Sequence, residues 1–124
     1  MKPSTTGFTH IVHATRYSWL GFKAAWRHEA AFRIELLPFC VGIVLAPFVA
    51  ASPIEYLLLV IPLCLMLLTE LLNSAVEAAV DRISDSHHVL SGRAKDLGSA
   101  ATFMSFTIVG VAWLTIVGAK FWPW

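Results

Sequence analysis

Charge is scarce in this chain. Asp, Glu, Lys and Arg make up 14% of its 124 residues, against about 25% in an ordinary soluble domain. Nine basic and eight acidic residues almost cancel, and the formal net charge is +1. The broad basic surface of a nucleic-acid binder is therefore lacking. Cysteine is scarce as well. Cys40 and Cys64 sit in separate apolar runs, with neither metal-ligand nor disulfide spacing, and read as buried reduced thiols. No glycine-rich loop ends in Gly-Lys-Ser or Gly-Lys-Thr, so a Walker-type phosphate cradle is excluded. His-Glu-x-x-His and the protein-kinase signature set are missing too. No repeat, low-complexity tract or linker divides the chain, so a single domain is expected over 1–124. The start does not read as a signal peptide, because no apolar core follows Met1-Lys2 before charged residues intervene.

What is present is apolar surface. The chain is 57% hydrophobic with a mean hydropathy of +0.70. A soluble domain of this size has no interior able to hold so much apolar surface, so the natural class is an integral membrane protein. Its apolar runs of near-span length read as transmembrane helices, so an all-α fold is expected.

Residues 5–35 read as an amphipathic helix. Trp19, Phe22 and Trp26 project within about 60° of one another, with Arg16, Lys23 and Arg27 about 90° away. Indoles beside basic groups suit a helix lying in the membrane interface. A first span is expected over 36–52, with Pro38 in its first turn and Pro47 kinking or ending it. Ala50-Ala51-Ser52-Pro53 reads as a tight turn. A second helix is expected over 54–83, its cytoplasmic end extending beyond the bilayer. The polar stretch 84–96 reads as a water-facing loop, and the third span as 97–117. Gly98, Ser99, Ala100 and Ala101 allow close helix approach, and Trp113, Trp122 and Trp124 read as an interfacial belt. Lys and Arg are placed asymmetrically. Lys2, Arg16, Lys23, Arg27 and Arg33 precede span one, and Arg82, Arg93 and Lys95 follow span two. The first hairpin has none, and the tail has only Lys120. The positive-inside rule therefore puts the N-terminus in the cytoplasm and the C-terminus outside.

The most informative stretch is Glu70-Leu-Leu-Asn73-Ser-Ala-Val-Glu77-Ala-Ala-Val-Asp81. With Glu70 at zero, Asn73 falls near 300°, Glu77 near 340° and Asp81 near 20° on about 100° per residue. Three acids and an amide share one stripe, running from membrane depth out to water. An ionised acid at membrane depth costs about 3 kcal/mol or more and by default marks function. Thirteen residues without charge, Tyr56–Leu68, precede Glu70. It is the deepest acid, in a dry position suited to a general base. Glu77 and Glu29 suit a hard cation such as Mg²⁺, which takes one or two carboxylates plus phosphates. Lys95 suits a phosphate as a point charge. Each residue also has a plain structural reading. Glu29 pairs with Arg33 one turn on, Asp81 is solvated, Lys95 anchors the cytoplasmic side, and Glu70 and Glu77 hydrogen-bond within a bundle. His87-His88 reads as a solvated loop pair before it reads as a metal site. These residues reach a three-span membrane protein with a carboxylate-rich cytoplasmic mouth. They do not by themselves reach phosphoryl transfer, and a carboxylate-lined ion or proton conduit stays open.

The stripe, together with Ser91-Gly-Arg-Ala-Lys95-Asp96-Leu-Gly-Ser99-Ala-Ala, resembles the two signature blocks of the small prokaryotic diacylglycerol kinases. Thr5-Thr6-Gly7-Phe8-Thr9, Tyr17-Ser18-Trp19 and Glu29-Ala-Ala-Phe32-Arg33 are similar to the family's N-terminal arm. The resemblance implies a homotrimeric bundle of three-span protomers in the inner membrane, each with an interfacial helix and with sites shared between protomers. It implies transfer of phosphate from Mg-ATP to diacylglycerol, making phosphatidic acid. Glu70 is implied as the catalytic base, and Glu29 and Glu77 as ligands of the metal. His10, Tyr17, Glu29, Glu77, Ser86, His87, His88, Lys95 and Asp96 are implied along the nucleotide. Glu35, Glu70, Ser99 and Trp113 are implied toward the lipid, with Asn73 and Asp81 in support. His10 stands where the best-known members carry Arg, and Asp85-Ser86-His87-His88 replaces their Gly-Ser-Glu-Tyr. Undecaprenol is the alternative acceptor within the family. Glu35 and the Thr-Thr-Gly-Phe arm look more like the diacylglycerol branch.

Overall fold

The computed structural model describes residues 6–83 and 88–122, and they form four helices. These are α1 (Gly7–His28), α2 (Ala30–Val49), α3 (Pro53–Ile83) and α4 (Val89–Ala119). The last three are long and apolar enough to cross a membrane. At 1.5 Å per residue, the 20 residues of α2 span about 30 Å, just the hydrocarbon thickness. The 31 residues each of α3 and α4 reach about 46 Å, so both outlast the bilayer by several turns.

The break between α1 and α2 is a single residue. Glu29 takes an extended conformation (φ −116°, ψ 102°) and caps both helices. Its N–H still donates to the Ala25 carbonyl at 2.9 Å, and its own carbonyl accepts from Arg33 N at 3.3 Å. The Arg33 guanidinium reaches back across the break to the Trp26 carbonyl at 2.6 Å. Arg33 is thus committed to a carbonyl freed at the end of α1, where a simple Glu29–Arg33 pair was the bland expectation. The spanning helix starts six residues ahead of the apolar run, which places Pro38 in the ninth position of α2 and not in its first turn. A proline so placed removes one ladder donor, and the helix continues through it. Pro47 does lie close to a helix end, two residues before Val49.

The turn into α3 is built by a reciprocal cap. Ser52 Oγ accepts from Glu55 N–H, and Glu55 Oε1 accepts from Ala51 N–H, both at 3.2 Å. Pro53 occupies the first helical position, where its missing N–H costs nothing. α2 then packs on α3 through Gly42: a Cβ there would lie 2.5 Å from Leu63 Cδ1. Ala46, Leu59, Leu63 and Met66 fill the buried seam, with Phe32 nearer the start of α2.

α4 runs antiparallel to α3 and makes its most extensive contact. The Trp113 indole donates to the Leu59 carbonyl at 3.1 Å, and Lys95 Nζ meets Asp81 Oδ1 at 2.7 Å. Lys120 Nζ and Glu55 Oε1 lie 3.8 Å apart at the far end. The polar stretch expected as a loop is largely helical, because α4 already starts at Val89. His88 caps it, its Nδ1 accepting from Leu90 N–H at 3.0 Å. Both cysteines are free but exposed, which corrects the expectation of buried thiols. An apolar run signals avoidance of water, and lipid satisfies that as well as a core does. Only 6% of the apolar window of α4 is buried within the chain.

Candidate active site

Two buried carboxyl groups face each other where α2 meets α3. Glu35 is 6% exposed and Glu70 5% exposed, and their carboxyl groups lie close together. Glu35 Oε1 is left buried with no partner among the described residues. The pair lies deep in the α2–α3 seam because each acid sits on the inward stripe of its helix. Thr69 beside it turns its hydroxyl onto the carbonyls of Leu65 and Met66, at 2.8 and 3.0 Å. That internal bond leaves no polar group of Thr69 unpaired at membrane depth.

From Glu70 the stripe runs outward along α3. Asn73 comes next, half-buried, with Oδ1 inaccessible and unpartnered among the described residues. Glu77 follows, half-buried, and then Asp81, exposed. The Asp81–Lys95 ion pair ties the stripe to the polar first turns of α4, ahead of its apolar run. The hydrogen bond to Asp81, then the charge of Asp81, raise the Lys95 ammonium above its ordinary value. Desolvation opposes the rise and Glu77 adds to it. The gradient is therefore dry carboxyls, then an amide, then exposed charges of both signs.

α1 closes one side of this stripe. A cavity of about 590 Å³ lies between α1 and α3, lined by Ser18, His28 and Glu29 on one wall and Leu71, Ser74 and Ala78 on the other. Glu29 is half-buried at its edge, across from the turn of α3 that carries Glu77. No cluster of three or more carboxylate, His or Cys ligands occurs among the described residues.

The other expected residues are placed as follows. Tyr17 is half-buried on α1, its ring stacked on His13 with centroids 6.5 Å apart, and His10 lies on the same helix. Asp96 and Ser99 are exposed on α4. Ser86 and His87 lie outside the described residues, whereas His88 is engaged in capping α4. Trp113 is not brought to the carboxyl pair. Its indole is held by Leu59, roughly 16 Å along α3 from Glu70. Two features escaped the sequence reading. The contact of Glu35 with Glu70 joins separate helices, so no single-helix periodicity reveals it. The approach of Gly98 to Asn73 had a partial signal in the small residues 98–101, without a named partner.

Residues 16–117 match the family model described as prokaryotic diacylglycerol kinase. A diacylglycerol kinase of Escherichia coli strain K12 is 43% identical over 121 residues, covering 98% of this chain and 99% of the relative. Those of Haemophilus influenzae and Pseudomonas aeruginosa are each 48% identical, covering 88% and 94% of this chain and 92% and 98% of their own lengths. With the match spanning all four helices and both ends of the acidic stripe, the chain belongs to the prokaryotic diacylglycerol kinase family.

Proposed function

We propose that the chain transfers the γ-phosphoryl group of ATP to the free hydroxyl of diacylglycerol, at the cytoplasmic face of the inner membrane. The observation that carries this reading is the gradient along α3, from the buried Glu35–Glu70 pair to the exposed Asp81–Lys95 pair. A lipid hydroxyl lies at the buried end and a nucleotide at the wet end. The membrane-embedded acceptor and the water-soluble donor thus meet along one helix face.

In the proposed reaction, Glu70 accepts the hydroxyl proton as that oxygen bonds to the γ-phosphorus. The bond from the γ-phosphorus to the β–γ bridging oxygen breaks, and ADP leaves with that oxygen. Glu35, buried beside it, holds Glu70 in place. Lys95 supplies positive charge to the phosphates, and Asp81 orients Lys95. Glu29 and Glu77 would hold Mg²⁺, which when bound neutralises phosphate charge. Positioning and charge stabilisation carry most of such a reaction, and a base contributes about 10²–10⁴-fold. α1 lies in the membrane interface, with Trp19, Phe22 and Trp26 exposed beside Lys23 and Arg27. A homotrimer covers the apolar faces that one chain leaves open, and neighbouring protomers share sites.

The test is transfer of ³²P from γ-labelled ATP to lipid by purified protein in bilayers. Labelled phosphatidic acid from added diacylglycerol is the expected product. Labelling of undecaprenol in preference to diacylglycerol would replace the acceptor, and ion flux without any transfer would replace the enzyme with a conduit.

A further inference from the structure

Three glycines of α4, Gly92, Gly110 and Gly118, have open space where a Cβ would stand. Gly98 does not. A Cβ built there overlaps Asn73 Oδ1, lies 3.1 Å from Asn73 Cγ and lies 3.8 Å from Asn73 Cα. The side-chain overlap needs a shift of the amide, and the Cα distance means that the α3 backbone stands directly behind it. Exchanging the amide oxygen and nitrogen gives no relief, because either atom meets the same methyl. The oxygen is also buried without a hydrogen-bond partner among the described residues, an arrangement that folded proteins seldom leave without cause.

The position of this contact gives it consequence. Asn73 lies one turn from Glu70 and about one turn from Glu77. Gly98 lies one turn from Lys95 on the same face of α4. The register of the two helices is held by Lys95–Asp81 on one side of the contact and Trp113–Leu59 on the other. Between these ties, the missing side chain of Gly98 leaves room for the Asn73 amide against α4. Resting on the kinase reading above, we propose that Gly98 is a positioning residue for phosphoryl transfer. By admitting the Asn73 amide against its backbone, it fixes how closely Lys95 approaches Glu77. A methyl at 98 either rotates Asn73 out of the stripe or moves Lys95 away from the acids that flank it.

The test compares Gly98→Ala with Gly110→Ala, a change on the same helix into open space. Steady-state kinetics on ATP and diacylglycerol are measured with thermal unfolding on the same bilayer preparations. Gly98→Ala is expected to raise KM for ATP at least tenfold, with KM for diacylglycerol changing less than twofold. Gly110→Ala is expected to stay within twofold on both. Asn73→Ala then removes the amide that the methyl meets. In that background, Gly98→Ala should no longer lower the Tm as it does alone, even where turnover is too low to follow. A Gly98→Ala protein within twofold of the parent for ATP overturns the proposal. So do equal losses on both substrates, or the same Tm loss with and without the Asn73 amide. Failure of the parent protein to phosphorylate diacylglycerol is a separate result that strikes the functional reading.

Discussion

Glu70 and Glu35 are near-equivalent in burial and lie close together, so burial alone does not say which of them takes the proton, and the proposal that it is Glu70 rests on the stripe. Glu70 shares a helix face with Asn73 and Glu77, whereas Glu35 stands on the neighbouring helix. Glu70→Gln is expected to keep the fold and ATP binding and to lose turnover by the base's share, about 10²–10⁴-fold. Glu35→Gln keeps the shape of the side chain beside Glu70 and should lose far less. Measuring kcat for both variants, with Tm and nucleotide affinity alongside, assigns the roles. Reversal of the two losses would make Glu35 the base. Lys95 is tested separately. Its ammonium lies 2.7 Å from Asp81 and is partly exposed, a geometry that fits phosphate binding and equally fits a plain, solvent-screened surface pair. Lys95→Met should raise KM for ATP much more than KM for diacylglycerol. An equal effect on both would leave only the surface pair.

At the scale of the helix, hydropathy and periodicity located the apolar runs but were poor at their polar ends. Val89–Asp96 is helical although it contains Ser91, Gly92, Arg93, Lys95 and Asp96. Such residues avoid lipid, yet a helix leaving the bilayer needs no apolar face. Its N-terminus was hidden because the capping group is a histidine, His88, and not the usual Ser, Thr, Asp or Asn. The start of α2 was hidden for another reason. Glu29 breaks the chain for a single residue, and Arg33 repairs the junction from four residues on. The acidic stripe was legible because its residues share one helix. The Glu35–Glu70 and Gly98–Asn73 contacts were not, because pairing between helices leaves no periodic trace. The cap on α3 gives a clean test of element stability. Ser52→Ala loses an acceptor for Glu55 N–H and should cost about 1 kcal/mol, read as a lower Tm. Turnover at moderate temperature should hold, because this turn stands at the opposite end of α3 from Glu77 and Asp81. Loss of activity without loss of Tm would tie the hairpin to catalysis.

For the whole molecule, the governing quantity is the length of α3 and α4 against the bilayer. Each is about 46 Å long against a hydrocarbon core of about 30 Å. Some 16 Å of helix must therefore stand in water or in the headgroups. Charge placement decides at which end. The Ser52 turn is short and carries no Lys or Arg, while Arg82, Arg93 and Lys95 cluster at the other end. Moving that cluster across the membrane would oppose the positive-inside bias, and it would carry Glu77, Asp81 and Lys95 away from cytoplasmic nucleotide. The prediction is that Ser52 faces outside and Arg82 faces the cytoplasm. The native thiols, Cys40 and Cys64, are exposed on α2 and α3, so both are first replaced by Ala. A single cysteine is then introduced as Ser52→Cys or Arg82→Cys, and intact cells are treated with a membrane-impermeant maleimide. Labelling of the first but not the second is expected, with both labelled after the cells are opened. The opposite pattern would place the acidic stripe outside, where ATP is scarce, and the proposed donor would have to be abandoned.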